Sequence, residues 1–241
     1  MQEKSDYPLR CPLTFTDAFG REETVCFSNG QEFVLTLRGA NFKGPSFNNL
    51  EPDAPQSVQG NFQLDAYLCP TQCLYEVGVP LRVRVPHGVE QALLFTAFDY
   101  NNAGGGSGSA LWGTLTLSTL KIHSTQKVDV MEYLLMDLQL QLPEDFLIHC
   151  CLSCRNSHYS PFGANDIGDL FCFRDYPDQL NTIARKSELL DLWEIAHNEQ
   201  RLYRMQETYW CRKFTQMTGN EWNYKDWNHT MGGKAHGNAH L

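Results

Sequence analysis

Residues 80–99, PLRVRVPHGVEQALLFTAFD, carry the clearest strand pattern of the chain. In the first half, Leu81, Val83 and Val85 alternate with arginines, which predicts a strand with one buried face. The second half is apolar almost throughout, as expected of a central strand. Two such segments close together in the sequence indicate a fold in which β-strands dominate.

The same alternation of apolar and polar residues extends outward in both directions, as far as about residue 155. The segments that show it are TFTDAF, ETVCF, EFVLTLRG, NFQLDAYLC, LWGTLTLS, LLMDLQLQL and FLIHCCL. In LLMDLQLQL the residues of one parity are Leu134, Met136, Leu138, Leu140 and Leu142. Eight or nine such strands with turn signals between them predict a mainly β (α+β) protein built on an antiparallel β-sandwich.

Two segments interrupt the strand pattern. Residues 41–60 contain three prolines and no periodicity, which predicts a long loop with a role in partner binding. Residues 104–109, GGGSGS, contain no phosphate-binding motif and no turn chemistry. We interpret them as an engineered linker that replaces a longer natural loop, with a natural glycine-rich loop as the alternative.

After residue 160 the pattern becomes helical. An apolar stripe through Leu192, Ile195, Leu202, Met205 and Tyr209 predicts one long helix. Ser187 is its expected N-cap, and residues 218–220 are its expected end. Thr218 and Glu221 are also suited to cap a short second helix. The sequence therefore predicts a β-sandwich domain over residues 1–158. A helical extension packed on it is expected over 159–241, with a loose tail from about residue 231.

Composition excludes several classes of function. The net charge is −9, and no stripe of Lys or Arg suits duplex nucleic acid as a partner. No apolar run approaches the roughly 20 residues of a membrane span, and the polar N-terminus differs from a signal peptide. Nine cysteines, several within strand patterns, indicate a reducing compartment, the cytoplasm or the nucleus.

Two cysteine pairs are candidate metal ligands. Cys69 and Cys73 are separated by three residues, and Cys151 and Cys154 by two. The four thiolates form a tetrahedral zinc site if the two loops meet. The alternative that we favour is that these are free thiols packed in the sandwich, so that the protein has no cofactor. A catalytic nucleophile, Cys151 or Cys154 activated by His158 or His87, is a further alternative, without a third group to orient the histidine.

The C-terminal part is unusually rich in aromatic residues, some beside positive charges. Neighbouring residues of a helix point about 100° apart, so adjacent rings cannot all pack on the sandwich. Exposed rings next to Arg or Lys are typical of a protein-binding hot spot. The predicted partner-binding residues are Trp210, Arg212, Lys213, Trp222 and Trp227.

Residues 62–133 resemble the C2 domain of phosphoinositide 3-kinases. The similarity lies in FQLDAYLC, in HGVEQALLFTAFDYN before a variable loop, and in ALWGTLTLSTL, where Trp112-Gly113 opens the next strand. The resemblance implies an eight-stranded antiparallel sandwich that serves as a scaffold or as a contact surface near a membrane. It implies no kinase activity, since the sequence contains neither D-F-G nor H-R-D.

These observations together predict a non-catalytic, intracellular protein-interaction or scaffold module of a larger assembly. Its expected partners are proteins and not nucleic acids. A C2-like peripheral membrane module is one alternative, for which Arg82, Arg84 and Lys121 are the basic residues. A zinc- or cysteine-dependent enzyme is the other.

Overall fold

The computed structural model describes residues 9–101, 109–160, 166–218 and 221–227. The predicted linker, apart from Ser109, and the predicted tail from residue 231 lie outside these ranges. The predicted fold class is confirmed, because the described chain is mainly antiparallel β-structure with helices in its C-terminal part. None of the helices described is both long enough and apolar enough to cross a membrane.

The elements are as follows. The strands are β1 (Leu9–Asp17), β2 (Gly20–Ser28), β3 (Phe33–Leu37), β4 (Ala40–Gly44), β5 (Glu51–Pro52), β6 (Leu74–Val85), β7 (Gly88–Asp99), β8 (Ala110–Thr116), β9 (Lys121–His123), β10 (Leu147–His149), β11 (Ser157–Tyr159), β12 (Leu170–Cys172) and β13 (Tyr203–Met205). The helices are α1 (Met131–Gln141), α2 (Pro177–Leu180) and α3 (Lys186–Asn198).

The strands form two antiparallel sheets. The larger has the order β5-β4-β3-β2-β1-β6-β7-β8-β9, and β10 pairs with β6 beyond the end of β1. The smaller has the order β11-β12-β13. At the centre of the larger sheet, β6 and β7 form a hairpin in which all twelve residues of each strand are paired. Apolar side chains of both sheets, among them Leu13, Leu94, Leu170 and Met205, belong to one core.

The predicted loop at residues 41–60 is part of that core. Its first residues belong to β4, and two short 3-10 turns, Phe47–Asn49 and Pro55–Val58, follow. The ring of Phe47 is fully buried and stacks on Phe33 at 4.4 Å between centroids, with Phe98 at 4.7 Å. The segment therefore covers the inner face of the large sheet, and its apolar side chains are not available to a partner.

The segment LLMDLQLQL, predicted as a strand, is helix α1. Leu134, Leu135 and Leu138 are fully buried and share one face of the helix, whereas Leu140 is 68% exposed. The order of apolar and polar residues in this segment fits the helical period of 3.6 as well as the strand period of two. Leu, Met and Gln are also good helix formers. The prediction of a strand was wrong because it used only the second period.

NFQLDAYLC was also wrongly predicted as a strand. Within this segment the Asp65 carboxylate accepts the backbone N–H groups of Tyr67 and Cys69, at 2.8 and 2.9 Å. Leu68 has a φ of 65°, which no strand tolerates. A strand would place Phe62, Leu64, Ala66 and Leu68 on one buried face, but only Phe62 is buried. Local hydrogen bonding by an aspartate side chain has replaced strand pairing.

The predicted long helix ends early. Helix α3 has Arg185 as its N-cap in place of Ser187, and the chain leaves the helix through Gln200, whose φ is 56°. The following residues form β13, which pairs with β12. Tertiary pairing has therefore overridden the helical pattern. Thr218 and Glu221 do contact each other as predicted, but residues 221–227 form no helix.

Candidate functional site

The outer face of the large sheet carries a band of exposed apolar side chains. Phe27, Val34, Leu93 and Phe95 all lie on it and are all exposed. The strand patterns explain the arrangement, because β6 and β7 bury alternate residues and turn the others outward. QALLFTAFD is therefore a central strand by position, but it is not buried on both faces as its apolar sequence predicts.

Outward apolar residues lie on five neighbouring strands, β3, β2, β1, β6 and β7, although the direct neighbour of Phe27 on β1 is Arg10. Val34 pairs with Phe27, and Pro80 of β6 pairs with Leu93 of β7. Pro12 on β1 and Leu93 on β7 both reach over Gly78 of β6, which has no side chain to separate them. A methyl group on the Cα of Gly78 would lie 2.9 Å from Cγ of Pro12 and 3.5 Å from Cδ1 of Leu93. We call this set the apolar strip. It consists of Pro12, Phe27, Val34, Gly78, Pro80, Leu93 and Phe95.

The apolar strip is about 19 Å wide, as expected of five strands spaced about 4.8 Å apart. Its own side chains carry no charge, and charges of both signs border it. Arg10 lies opposite Phe27, and Lys43 lies opposite Val34. Glu76 lies two residues before Gly78 on β6, on the same outer face as Gly78 and Pro80. The strip therefore has an apolar centre and a mixed-charge rim.

The C-terminal segment covers the adjoining end of the same face. The guanidinium of Arg82 lies 3.5 Å from the ring centroid of Trp210, and Arg84 donates to the side chain of Gln216 at 2.6 Å. The ring of Phe214 packs on His149. Trp210, predicted to bind a partner, thus contacts the sheet of its own chain. The two arginines considered for membrane contact are engaged in the same way.

The other predicted partner-binding residues do not share one surface. Trp227 is fully buried in the main core, so it has no surface to offer a partner. Trp222 is half-buried and stacks on His158, with 6.0 Å between ring centroids. Lys213 forms an ion pair with Asp175 at 3.2 Å. Arg212 is exposed.

The two predicted cysteine pairs lie in different surroundings. Cys69 follows the Asp65 turn, and Cys73 precedes β6, where Asp17 and Asp99 are its charged neighbours. Cys151 and Cys154 follow β10, and their neighbours are Cys172 and Cys211. The neighbours of Cys151 and Cys154 are therefore Cys172 and Cys211, and not the predicted pair Cys69 and Cys73. Within the described ranges, no three His, Cys, Asp or Glu side chains are already arranged to hold a metal ion.

Burial favours the protonated form of three of the clustered thiols, those of Cys151, Cys154 and Cys172. Burial is the main cause that raises the pKa of Cys151 and Cys154, and it raises the pKa of Cys172 to about 12. Repulsion between neighbouring thiolates adds to this effect. The buried ammonium of Lys225 donates to the carbonyl of Cys154 at 2.7 Å, and it acts in the opposite direction on that thiol.

Buried acids form a second cluster between the two sheets. Asp166 is buried and accepts a hydrogen bond from the hydroxyl of Tyr100. Glu207 accepts the backbone N–H of Gly168 at 2.7 Å, and Asp169 pairs with Arg204. Burial raises the pKa of Asp166 to about 6 and that of Glu207 to about 8. These contacts tie the loop before β12 to the segment after β13.

An open groove of about 790 Å³ runs along helix α1. Tyr133, Met136 and Leu140 line it together with Lys127 and Asp137. Asp137 also accepts the backbone N–H and the hydroxyl of Thr125, which fixes the neighbouring loop. The groove is open and of mixed polarity, unlike the enclosed apolar pockets that are typical of small-molecule sites.

Some of these features had a signal in the sequence. Leu93 and Phe95 occupy the second parity of an apolar strand, which is the pattern of an exposed apolar face as well as of a doubly buried strand. Seventeen residues, positions 155–171, separate Cys172 from Cys154, a spacing found between the halves of zinc sites. Cys211 gave no such signal, because only the fold brings it to the others.

The comparisons with known proteins concern the sheet and not the C-terminal part. No curated protein and no solved structure matches the chain. Residues 9–157, which include the whole apolar strip and helix α1, match the model of a family of unknown function, DUF6304. Because that match covers more than half of the sequence, the chain belongs to the DUF6304 family.

Proposed function

We propose that this protein is a non-catalytic interaction module that binds another protein through the apolar strip. The observation that carries the proposal is that outward apolar residues recur on five neighbouring strands, with Phe27, Val34, Leu93 and Phe95 exposed among them. Isolated exposed apolar residues are ordinary, but contiguous patches are typical of binding surfaces. The partner that fits is a folded protein with an uncharged, apolar contact patch and charged residues around it.

The charges on this face favour a protein over a membrane. An anionic membrane attracts clusters of Lys and Arg, whereas here Glu76 and the basic residues Arg10 and Lys43 surround an uncharged centre. Arg82 and Arg84 are held by the C-terminal segment. The net charge of −9 adds a general repulsion from anionic lipids. The C2-like resemblance then implies a scaffold and not a lipid-binding role.

A reducing compartment, the cytoplasm or the nucleus, fits the proposal. All nine cysteines are free thiols, and eight of them are buried. Protonated thiols inside a β-rich core behave as small apolar residues.

The test compares two ways of removing exposed apolar surface. Leu93→Ser combined with Phe95→Ser removes the centre of the strip, where the side chains are 39% and 46% exposed. Tyr67→Ser removes a side chain that is 80% exposed but lies in the loop before β6. The partner is first identified by cross-linking from position 95 in cells. Its affinity for the purified wild-type chain and for both variants is then measured by calorimetry.

We expect the double variant to bind the purified partner at least about 10-fold more weakly, which corresponds to about 1.4 kcal/mol. Tyr67→Ser should bind like the wild type. Equal binding by all three proteins would refute the proposal. It would also fail if the strip mediated only self-association in sedimentation velocity, or only binding to phosphatidylserine vesicles in sedimentation assays.

A further inference from the structure

Two tight turns, each beginning with a cysteine, lie next to each other just after the end of β10. In the first, the N–H of Cys154 donates to the carbonyl of Cys151 at 3.2 Å. In the second, the N–H of Phe214 donates to the carbonyl of Cys211 at 3.1 Å. The first turn contains a C-x-x-C pair, a spacing found in structural zinc sites, and the second contributes one further cysteine.

Backbone hydrogen bonds hold the two turns together. Cys151 donates to the carbonyl of Tyr209 at 2.6 Å, and Arg155 donates to that of Thr215 at 2.8 Å. The N–H of Thr215 in turn points at the sulfur of Cys154, at 3.5 Å. The cysteine of the second turn thus lies between two points at which its segment is joined to the first turn.

Cys172 reaches the same place from β12. It pairs with Ser157 of β11, and the Ser157 hydroxyl contacts the carbonyl oxygens of Cys151 and Cys154. Phe173, the next residue, donates its N–H to the carbonyl of Asn156 at 2.7 Å. Three separate segments of the chain therefore bring four cysteines to one site, independently of the apolar strip.

We propose that Cys151, Cys154, Cys172 and Cys211 bind one structural Zn²⁺ ion. Four thiolates satisfy the tetrahedral coordination that Zn²⁺ prefers, and soft sulfur ligands select it over Mg²⁺ or Ca²⁺. The four thiols release their protons to solvent when the ion binds, and each sulfur then donates an electron pair to it. Cys211 is only half-buried, so the ion has a route to the site from solvent.

The surroundings suit a thiolate cluster. Four thiolates and one Zn²⁺ carry a net charge of −2, and the buried ammonium of Lys225 lies beside the first turn. The N–H of Thr215 is a hydrogen-bond donor to one of the sulfurs. Such groups around the ligands orient them and stabilise their charge. The described side chains do not yet form a closed site, so binding requires rotation of the cysteine side chains around their Cα–Cβ bonds.

The experiment uses the whole chain and two metal probes. Zinc content is measured on protein purified without added metal, and again after incubation with Zn²⁺ and removal of the excess. Co²⁺ is then added to the metal-free chain, and its absorption spectrum is recorded. Cys211→Ser removes one proposed ligand at the half-buried position, and Cys69→Ser removes a buried thiol that lies outside the cluster.

We expect about one zinc per chain, and thiolate-to-cobalt charge-transfer bands with the intense visible bands of a tetrahedral site. Cys211→Ser should lower the zinc affinity by at least about 10-fold, whereas Cys69→Ser should leave it unchanged. The cobalt spectrum of the unaltered chain keeps the test valid if Cys211→Ser does not fold. Absence of thiolate bands in that spectrum, or equal loss of zinc in both variants, would overturn the proposal.

Discussion

Glu207 lies between the two sheets, where its carboxyl group is completely buried. It accepts the N–H of Gly168 and is surrounded by Asp169 and Tyr159, and Asp169 is paired with Arg204. Desolvation of the buried carboxyl group is the main reason that its pKa rises from 4.5 to about 8. Near neutral pH the folded protein therefore holds a proton on Glu207 that the unfolded chain has released.

This difference makes stability depend on pH. A pKa that is higher in the folded state stabilises the protein fully below the unfolded value, and the stabilisation is lost as the pH rises through the folded value. We expect the contribution of Glu207 to the free energy of unfolding to fall between pH 5 and pH 8, by up to about 1.4 kcal/mol per pH unit. Glu132 and Asp166, with pKa values raised by burial to about 7 and about 6, act in the same direction.

Glu207→Gln isolates the contribution of this carboxyl group. Urea unfolding at pH 5, 6, 7 and 8 should give a smaller decrease in stability for the variant than for the wild type, whatever their difference at one pH. Burial lowers the pKa of Lys225 to about 8 and that of His158 to about 3, and both groups increase stability with pH within this range, so the difference between wild type and variant is what isolates Glu207. Parallel pH profiles of wild type and variant would show that Glu207 does not titrate in this range.

At the scale of the element, helix α1 separates two interpretations of one sequence. A strand would place Leu138 and Leu140 on the same face, whereas the helix buries the first completely and leaves the second 68% exposed. We expect Leu138→Ala to reduce the free energy of unfolding by about 2–5 kcal/mol and Leu140→Ala to change it by less than about 0.5 kcal/mol. Urea denaturation measures both, and similar losses in the two variants would contradict the helix.

The elements that could be predicted are those whose pattern fits a single period. The alternation of Leu81 and Val83 with arginines fits only a strand, and the strands β6 and β7 were both predicted correctly. The sequence of α1 fits both the period of a helix and that of a strand. The end of α3 could not be predicted, because Gln200 and not a glycine adopts the left-handed conformation there. Of the cysteine cluster, the sequence indicated only Cys151 and Cys154, which are close together in the chain. Cys211 could not be predicted, because only tertiary hydrogen bonds bring its segment to them.

At the scale of the whole molecule, one core connects the family-matched region to the C-terminal part. Trp227, the last residue described, is fully buried in the same core as the residues of the large sheet. Its backbone N–H donates to the carboxylate of Glu132 on α1 at 3.1 Å. A separate small core, which includes Leu189 and Leu192 of α3, lies beside it. The C-terminal part therefore completes the fold of the sheet.

The prediction that follows is a single unfolding transition that depends on Trp227. Far-UV circular dichroism, which reports on the sheets and helices, and fluorescence of the remaining tryptophans should give the same urea midpoint. Trp227→Ala should lower both midpoints together, by about 3–5 kcal/mol in stability, because it empties a large volume in the shared core. Tyr224→Ala, at a partly exposed side chain three residues earlier, should cost much less. If Trp227→Ala shifted only the fluorescence transition, the sheet would be stable without the C-terminal part, and the single core would not act as one cooperative unit.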